Sequence, residues 1–342
     1  MPADLVRLDR LGPALALSLG DDRWNSVDSA LIAGGKSNLT FELSSAAGQL
    51  ILRRPPSGDL LQSAHDMGRE TRVQRALADS PVPVPAIVFE DSTSDLIGAP
   101  FYVMEKVPGH IIRGELPTGY ADSLVEKTRL ALGLVDVLVD LHAVDFEQVG
   151  LGNFGRPTGF LDRQIKRWTG QWEATNTSRA GAVDSLAAAL KKSQPEVQRH
   201  TIVHGDFRLD NCLMKLGDPG QITAVLDWEM STLGDPLTDL ALLLFYWRQP
   251  GDYESVLTPT VTSKPGFPSR AVLAERYAEG AKVQLKDLAF YEAFAHFKFA
   301  VIVKGIAERV AAGSMAGQDF GDLTEEIIRT AEDGLDRLNQ NG

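Results

Sequence analysis

Short apolar runs and long helical periodicities divide this chain into stretches of different texture. Residues 28–54 and 81–107 carry brief apolar runs bounded by Gly, Pro, Ser and Asp, among them Leu50–Leu52, Ala86–Phe89 and Phe101–Met104. Such runs predict strands joined by turns. Between them, 62–79 spaces Met67, Val73 and Leu77 at helical intervals among charged residues, which predicts a helix with a charged outer face. From 120 to 200 the pattern is helical. Residues 121–143 place Leu124, Leu130, Leu132, Leu134, Val135, Leu138 and Leu141 on one broad apolar face, and helices follow over 159–174 and 180–196. Strand-like runs return at Thr201–Val203, Cys212–Lys215 and Thr223–Leu226. The remainder is helical apart from an irregular Pro/Gly/Thr-rich loop at 249–269. This order predicts an α+β chain. A small β-rich lobe spans 1–105, a short hinge follows at about 105–110 (EKVPGH), and a larger, mainly helical lobe spans 111–342.

Composition narrows the partners. The 342 residues are 44% hydrophobic and 23% charged, enough for a substantial core. The net charge of −12 disfavours sequence-independent nucleic-acid binding and adsorption to anionic membranes. The single cysteine, Cys212, permits no intramolecular disulfide and no Cys-based zinc cluster, and it reads as a small buried hydrophobe. No HExxH or GxSxG is present. The beginning MPADLVRLDR lacks a basic segment followed by an apolar run, and the apolar stretch 240–247 is far short of the ~20 residues of a membrane span. A cytoplasmic protein is expected.

The candidate chemistry lies in 204–211, HGDFRLDN, followed by the strand-like Ala224-Val225-Leu226, then Asp227, then Gly234-Asp235-Pro236. Phosphoryl transfer needs an oriented nucleophile and oxygen ligands for Mg²⁺, and little covalent help. Asp206 and Asn211 are five positions apart in one loop, so both side chains can turn to one side. Asp227 closes an apolar strand, where the sheet would hold a metal-ligating carboxylate in place. Each of these alone could be an Asx turn; the ordered set points to phosphoryl transfer.

The ordered pattern H-G-D-x-x-x-x-N, strand–Asp, G-D-P-x-x-D resembles the aminoglycoside phosphotransferase family, and within it the kinase-like domains associated with acyl-CoA dehydrogenases. LRRPP (52–56), AHDMGRE (64–70), GAPFYVMEKVPG (98–109), LHAVDFEQVGLGNFGRP (141–157) and RQIKRW (163–168) extend the similarity over nearly the whole chain. The resemblance implies a bilobal protein-kinase-like fold, ATP as phosphoryl donor (GTP is not excluded), and Mg²⁺. It also implies roles. Asp206 would be the catalytic carboxylate, with His204 bracing its loop. Asn211 and Asp227 would hold the metal. Asp235 and Asp239 would stabilise the helical lobe. Gly34, Gly35, Ser37 and Asn38 occupy the place of the phosphate-covering loop, where glycines let backbone amides approach phosphates, though two glycines between strands also make an ordinary hairpin turn.

Arg53 stands where kinases place a phosphate-binding lysine, and a guanidinium can clamp phosphate oxygens. Glu70 would pair with Arg53, or is a solvated helical charge. Arg54 reads as a surface residue. Met104, Glu105 and Val107 would line the adenine edge through their backbone, with core packing as the other reading of Met104. Only seven positions separate Asp227 from Gly234, which leaves no room for a peptide-docking segment. The expected acceptor is therefore a small-molecule hydroxyl, and the resemblance implies a hydroxyacyl-CoA or hydroxy acid as its class. Aminoglycosides and a non-catalytic nucleotide- or acyl-CoA-binding module are the alternatives. Arg163, Lys166 and Arg167 beside Trp168 and Trp172 either hold an anionic substrate or form an amphipathic helix with core tryptophans.

Overall fold

The computed structural model describes residues 5–32, 38–56, 66–175, 181–312 and 320–339. In chain order the helices are α1 (Leu8–Leu19), α2 (Met67–Leu77), α3 (Leu124–Ala143), α4 (Phe160–Glu173), α5 (Gly181–Lys192), α6 (Leu237–Tyr246), α7 (Arg270–Ala281), α8 (Leu288–Ala311) and α9 (Thr324–Asn339). The strands are β1 (Val27–Leu31), β2 (Leu39–Ser45), β3 (Gly48–Arg54), β4 (Ile87–Asp91), β5 (Phe101–Glu105), β6 (His110–Ile111), β7 (Thr201–Val203), β8 (Cys212–Met214), β9 (Ile222–Val225) and β10 (Thr232–Gly234). Two compact units result: 1–109 together with 223–231, and 110–222 together with 232–342.

In the first unit the described residues form an antiparallel sheet in the order β1-β2-β3-β5-β4. Alternation along β3 and β5 sorts side chains onto its two faces. Leu50 and Leu52 of β3, with Phe101 and Val103 of β5, join Leu11, Leu15 and Trp24 in one apolar cluster. Ile51, Tyr102 and Met104 face the other way and pack with Met67 at the start of α2. The same period puts Arg53 on the α2 face, and the register pairs it with Tyr102. The N-cap Asp66 accepts from the Arg69 N–H at 3.0 Å and starts α2 so that Glu70 falls in its first turn.

The second unit is mainly helical. The capping box Ser123/Glu126 begins α3. Leu237 and Asp239 to Phe245 of α6 are all buried, as expected of a helix apolar on every side. Helix α8 is likewise buried over most of its length and packs on α4, α5, α6 and α9. Two small antiparallel pairings, β7 with β10 and β6 with β8, frame the loop 204–211. Among the described residues no helix is long and apolar enough to cross a membrane.

Helix α1 has no counterpart in the sequence reading. The predicted helix 62–79 is seen as Met67–Leu77, its first residues lying outside the described ones. Arg54 corrects another expectation: it is 4% exposed rather than a surface residue. Its guanidinium donates to the Leu5 and Pro55 carbonyls, an inward anchor for a charge that β3 carries to the α1 side.

Candidate active site

The first unit gathers a buried polar cluster around Arg53. Its Nη2 donates to Asp227 Oδ1 at 2.8 Å, and its Nε lies 3.7 Å from Glu70 Oε2. Glu70, 1% exposed, accepts from the Tyr102 hydroxyl at 2.8 Å and from Asn38 Nδ2 at 2.9 Å. Asn38 Nδ2 also donates to Glu229 Oε2 at 3.1 Å. Burial works against the Arg53 charge, but Tyr102, Glu70 and Asp227 together hold its pKa well above the ordinary arginine value. Burial pushes the Glu70 pKa up, and Arg53 opposes the rise. Asp227 sits in the left-handed region, φ 70° and ψ 61°, at the turn that leaves β9. That conformation is uncommon for a side-chain-bearing residue and most tolerable for Asp or Asn.

Of the first-unit residues singled out by sequence, the fold brings Asn38, Arg53, Glu70 and Asp227 together. Met104 is buried in β5 opposite Ile51 and Ile87. Glu105 is exposed, with its N–H given to the Ala86 carbonyl at 2.9 Å, and Val107 is half-buried just beyond the strand. Gly34, Gly35 and Ser37 lie outside the described residues. Tyr102 and Glu229 escaped the sequence reading. The alternation of β5 carries the signal for Tyr102, since it places the ring on the Arg53 face.

The second unit holds Asp206. Asn211 Nδ2 donates to both the backbone carbonyl and the Oδ2 of Asp206, each at 2.9 Å, so the six-residue loop closes on itself. Arg208 Nε lies 3.3 Å from Asp206 Oδ2, its Nη1 lies 3.3 Å from Asp210 Oδ2, and its guanidinium stacks 4.7 Å over Tyr246. His204 Nδ1 accepts the Asp206 N–H at 3.2 Å. The buried carboxylate of Asp239 accepts the N–H of His204 at 2.6 Å and of Gly205 at 2.8 Å, with His142 Nε2 at 3.3 Å. Burial opposes the Asp239 charge, yet these partners leave its pKa below the usual carboxylate value. Gly205 has φ 82°, open to glycine and strained for a side chain. Lys298 Nζ donates to the Gly205 carbonyl.

The basic helix α4 resolves in favour of core tryptophans: Trp168 and Trp172 are 5% and 1% exposed, whereas Lys166 and Arg167 face outward. Cys212 is buried, as expected. Lys298 was missed, although a lysine inside the apolar run AFAHFKFAV is itself a signal.

Oxygen donors dominate both clusters. The Asn211 amide uses its nitrogen on Asp206, leaving a carbonyl oxygen of the kind Mg²⁺ takes, and the Asp227 side chain is 32% exposed. Among the described residues no group of three or more His, Cys, Asp or Glu side chains could hold a metal. One or two protein oxygens completed by substrate phosphates is the usual Mg²⁺ arrangement, and each of these oxygens, taken by itself, is of the type that ion accepts.

Comparison with known proteins agrees with this picture. The model of the phosphotransferase enzyme family matches residues 29–296. Acyl-CoA dehydrogenase family member 10 of Mus musculus is 36% identical over 305 residues, which is 87% of this chain and 28% of that protein. This chain thus spans well under half the length of that relative. A crystal structure of a Ralstonia eutropha protein assigned to the aminoglycoside phosphotransferases superposes with a TM-score of 0.77 at 31% identity, covering 92% of this chain and 93% of that one. Choline kinase from Cryptosporidium parvum shares the fold at 12% identity, TM-score 0.66, covering 96% and 95%. A β-sheet unit with a mainly helical unit, the HGDxxxxN loop and these matches together establish that the chain has a protein-kinase-like fold and belongs to the phosphotransferase enzyme family.

Proposed function

We propose that this chain transfers the terminal phosphoryl group of ATP to a hydroxyl of a small molecule, a hydroxyacyl-CoA or hydroxy acid. The observation that carries the reading is the loop geometry at Asp206. Asn211 and Arg208 both engage Oδ2, which leaves Oδ1 outside these bonds on a carboxylate whose backbone is fixed from two sides. Oδ1 orients the acceptor hydroxyl and takes its proton as the bond to phosphorus forms. Asn211 and Asp227 are the residues that would hold Mg²⁺ through oxygen, which would supply charge neutralisation at the phosphates. Arg53 keeps Asp227 in place and adds positive charge on the nucleotide side. Glu70, in turn, braces Arg53, while Asn38 and the backbone of Met104, Glu105 and Val107 complete the nucleotide side.

A solved aminoglycoside phosphotransferase of the same fold binds ADP and hygromycin B, consistent with a nucleotide and a small-molecule acceptor here. The relatives named for acyl-CoA dehydrogenases point to the acyl-CoA class. The test is a phosphoryl-transfer screen setting hydroxyacyl-CoAs against aminoglycosides, with Asp206→Asn as the control. The variant is expected to lose at least about 10²–10³-fold in turnover while still binding ATP. Near-normal turnover in it would remove Asp206 from the chemistry, and transfer to aminoglycosides alone would reverse the acceptor.

A further inference from the structure

The peptide plane joining Gly205 to Asp206 is held at both ends. Its carbonyl accepts from Lys298 Nζ, and its N–H donates to His204 Nδ1 at 3.2 Å. The preceding N–H, that of Gly205, goes to Asp239 Oδ1 at 2.8 Å. A peptide is planar, so fixing its carbonyl fixes the direction in which the chain enters the Asp206 Cα. Gly205, at φ 82°, has the softest backbone of the loop and gains most from such a restraint.

Lys298 is an unusual residue to find there. It lies in α8, 7% exposed, between the buried Phe297 and Phe299. Burying an ammonium is costly unless something compensates. Its Nζ sits 5.5 Å from the centroid of the Trp168 ring, and Trp168 is 5% exposed. The indole Nε1–H has no hydrogen-bond partner among the described residues. Such a buried donor costs about 1–3 kcal/mol, a cost phenylalanine would not carry. What the indole adds is its face, the best of the aromatic faces for a cation. The side chain that bears an unused N–H therefore serves the lysine above it, and the lysine serves the carbonyl before Asp206.

We propose that Lys298, seated on Trp168, is a positioning residue that sets the orientation of Asp206 by gripping the Gly205 carbonyl. The inference rests on the reading of Asp206 as the carboxylate that orients the acceptor hydroxyl. Lys298 touches neither nucleotide nor reacting atoms in this assignment; it acts through the backbone.

The experiment uses the full chain with Lys298→Met, Lys298→Arg and Trp168→Phe, measured by steady-state transfer and by amide hydrogen exchange. Lys298→Met is expected to lower kcat about 10–100-fold, the scale of a misplaced catalytic group, with the KM for ATP within about twofold of the parent. Exchange at the Gly205 and Asp206 amides should quicken while α3 and α6 keep their protection. Lys298→Arg restores a cationic donor and should recover most of kcat. Trp168→Phe removes the unused N–H and keeps a weaker face, so it should melt no lower than the parent and lose only a few-fold in kcat. Parental kcat with parental exchange in Lys298→Met overturns the proposal. So does faster exchange throughout the unit, which would make Lys298 a general support of the fold. If the parent chain transfers no phosphate but exchange responds locally as described, the reading of Asp206 fails and the restraint on the loop stands.

Discussion

Arg53 donates from Nη2 to Asp227 Oδ1 at 2.8 Å, so the last strand residue before Arg54 holds a carboxylate 174 positions later in the chain. The same guanidinium faces Glu70, and both Arg53 and Glu70 are buried. Removing one partner of a buried charge pair leaves the other uncompensated, which typically costs about 3–5 kcal/mol, whereas replacing both by apolar groups is often near neutral. Arg53→Met should therefore destabilise the chain by about 3–5 kcal/mol in urea unfolding, and Arg53→Met/Glu70→Met should recover much of that loss. Additive losses in the double variant would mean that the two residues stabilise the fold independently.

Gly133 and Gly170 make an opposed pair on α3 and α4. A Cβ at Gly133 would lie 2.4 Å from the backbone carbonyl oxygen of Gly220. A Cβ at Gly170 would meet nothing within 4 Å. Helix propensity favours alanine by about 1 kcal/mol at both sites, but overpacking against an immobile carbonyl costs about 1–3 kcal/mol. Gly170→Ala should thus raise stability by up to about 1 kcal/mol, and Gly133→Ala should lower it by about 1–2 kcal/mol. Equal shifts in the two denaturation midpoints would show that propensity alone decides.

Local pattern and tertiary accident contributed differently to what the sequence disclosed. The spacing of HGDFRLDN is a property of neighbouring residues, so Asp206 and Asn211 could be placed in one loop from the sequence, whereas Arg53 was singled out through the resemblance alone. The link from Asn38 to Glu229 spans 191 positions and depends on where 223–231 packs, which no local period encodes. Helix α1 was invisible for a related reason. It carries Pro13 within it and no side-chain N-cap, so the usual start signal is missing although Gly20 closes it in the left-handed conformation. The paired tryptophans of α4 allowed two readings, a ligand platform or a core face. Their burial followed from helical spacing, which puts Ile165, Trp168 and Trp172 on one face.

Titration of His296 should leave a trace in the pH dependence of stability. Burial lowers its pKa to about 3; the bond to the Glu292 carbonyl at 2.7 Å opposes this, and Arg337, Arg270 and Arg248 reinforce it. An unfolded histidine titrates near 6.5, so between about pH 6.5 and 3 the unfolded chain binds the extra proton. Stability is complete above about pH 6.5 and falls as the pH drops, by up to about 1.4 kcal/mol per unit for this one group. Substituting His296→Leu should flatten that slope between about pH 6 and 4.5 by close to one proton's worth, as read from urea unfolding at stepped pH. An unchanged slope would show that the ring protonates in the folded state without penalty.

Asp239 gives a prediction of opposite chemistry. Its carboxylate accepts the N–H groups of His204 and Gly205 and faces His142, all in the interior. The His142 pKa is lowered by burial, so a neutral ring meets the carboxylate. Since the carboxylate is an acceptor only, Nε2 carries the proton and Nδ1 accepts from the Tyr277 hydroxyl at 2.7 Å. Asp239→Asn keeps the shape but turns one acceptor into a donor that faces donors. Hydrogen bonds to a charged group contribute about 1.5–3 kcal/mol each, and a buried group left unpaired costs more, so a loss of about 3 kcal/mol or more is expected. The pH signature distinguishes this from simple misfit. Because the folded pKa lies below the unfolded one, the carboxylate's contribution is present above the unfolded value of about 3.9 and is lost as pH falls through the folded value. The parent and the Asn variant should therefore differ most near neutrality and converge in acid. A gap between them that stays constant down to about pH 2 would assign the loss to packing and remove the charge of Asp239 from the account of the loop.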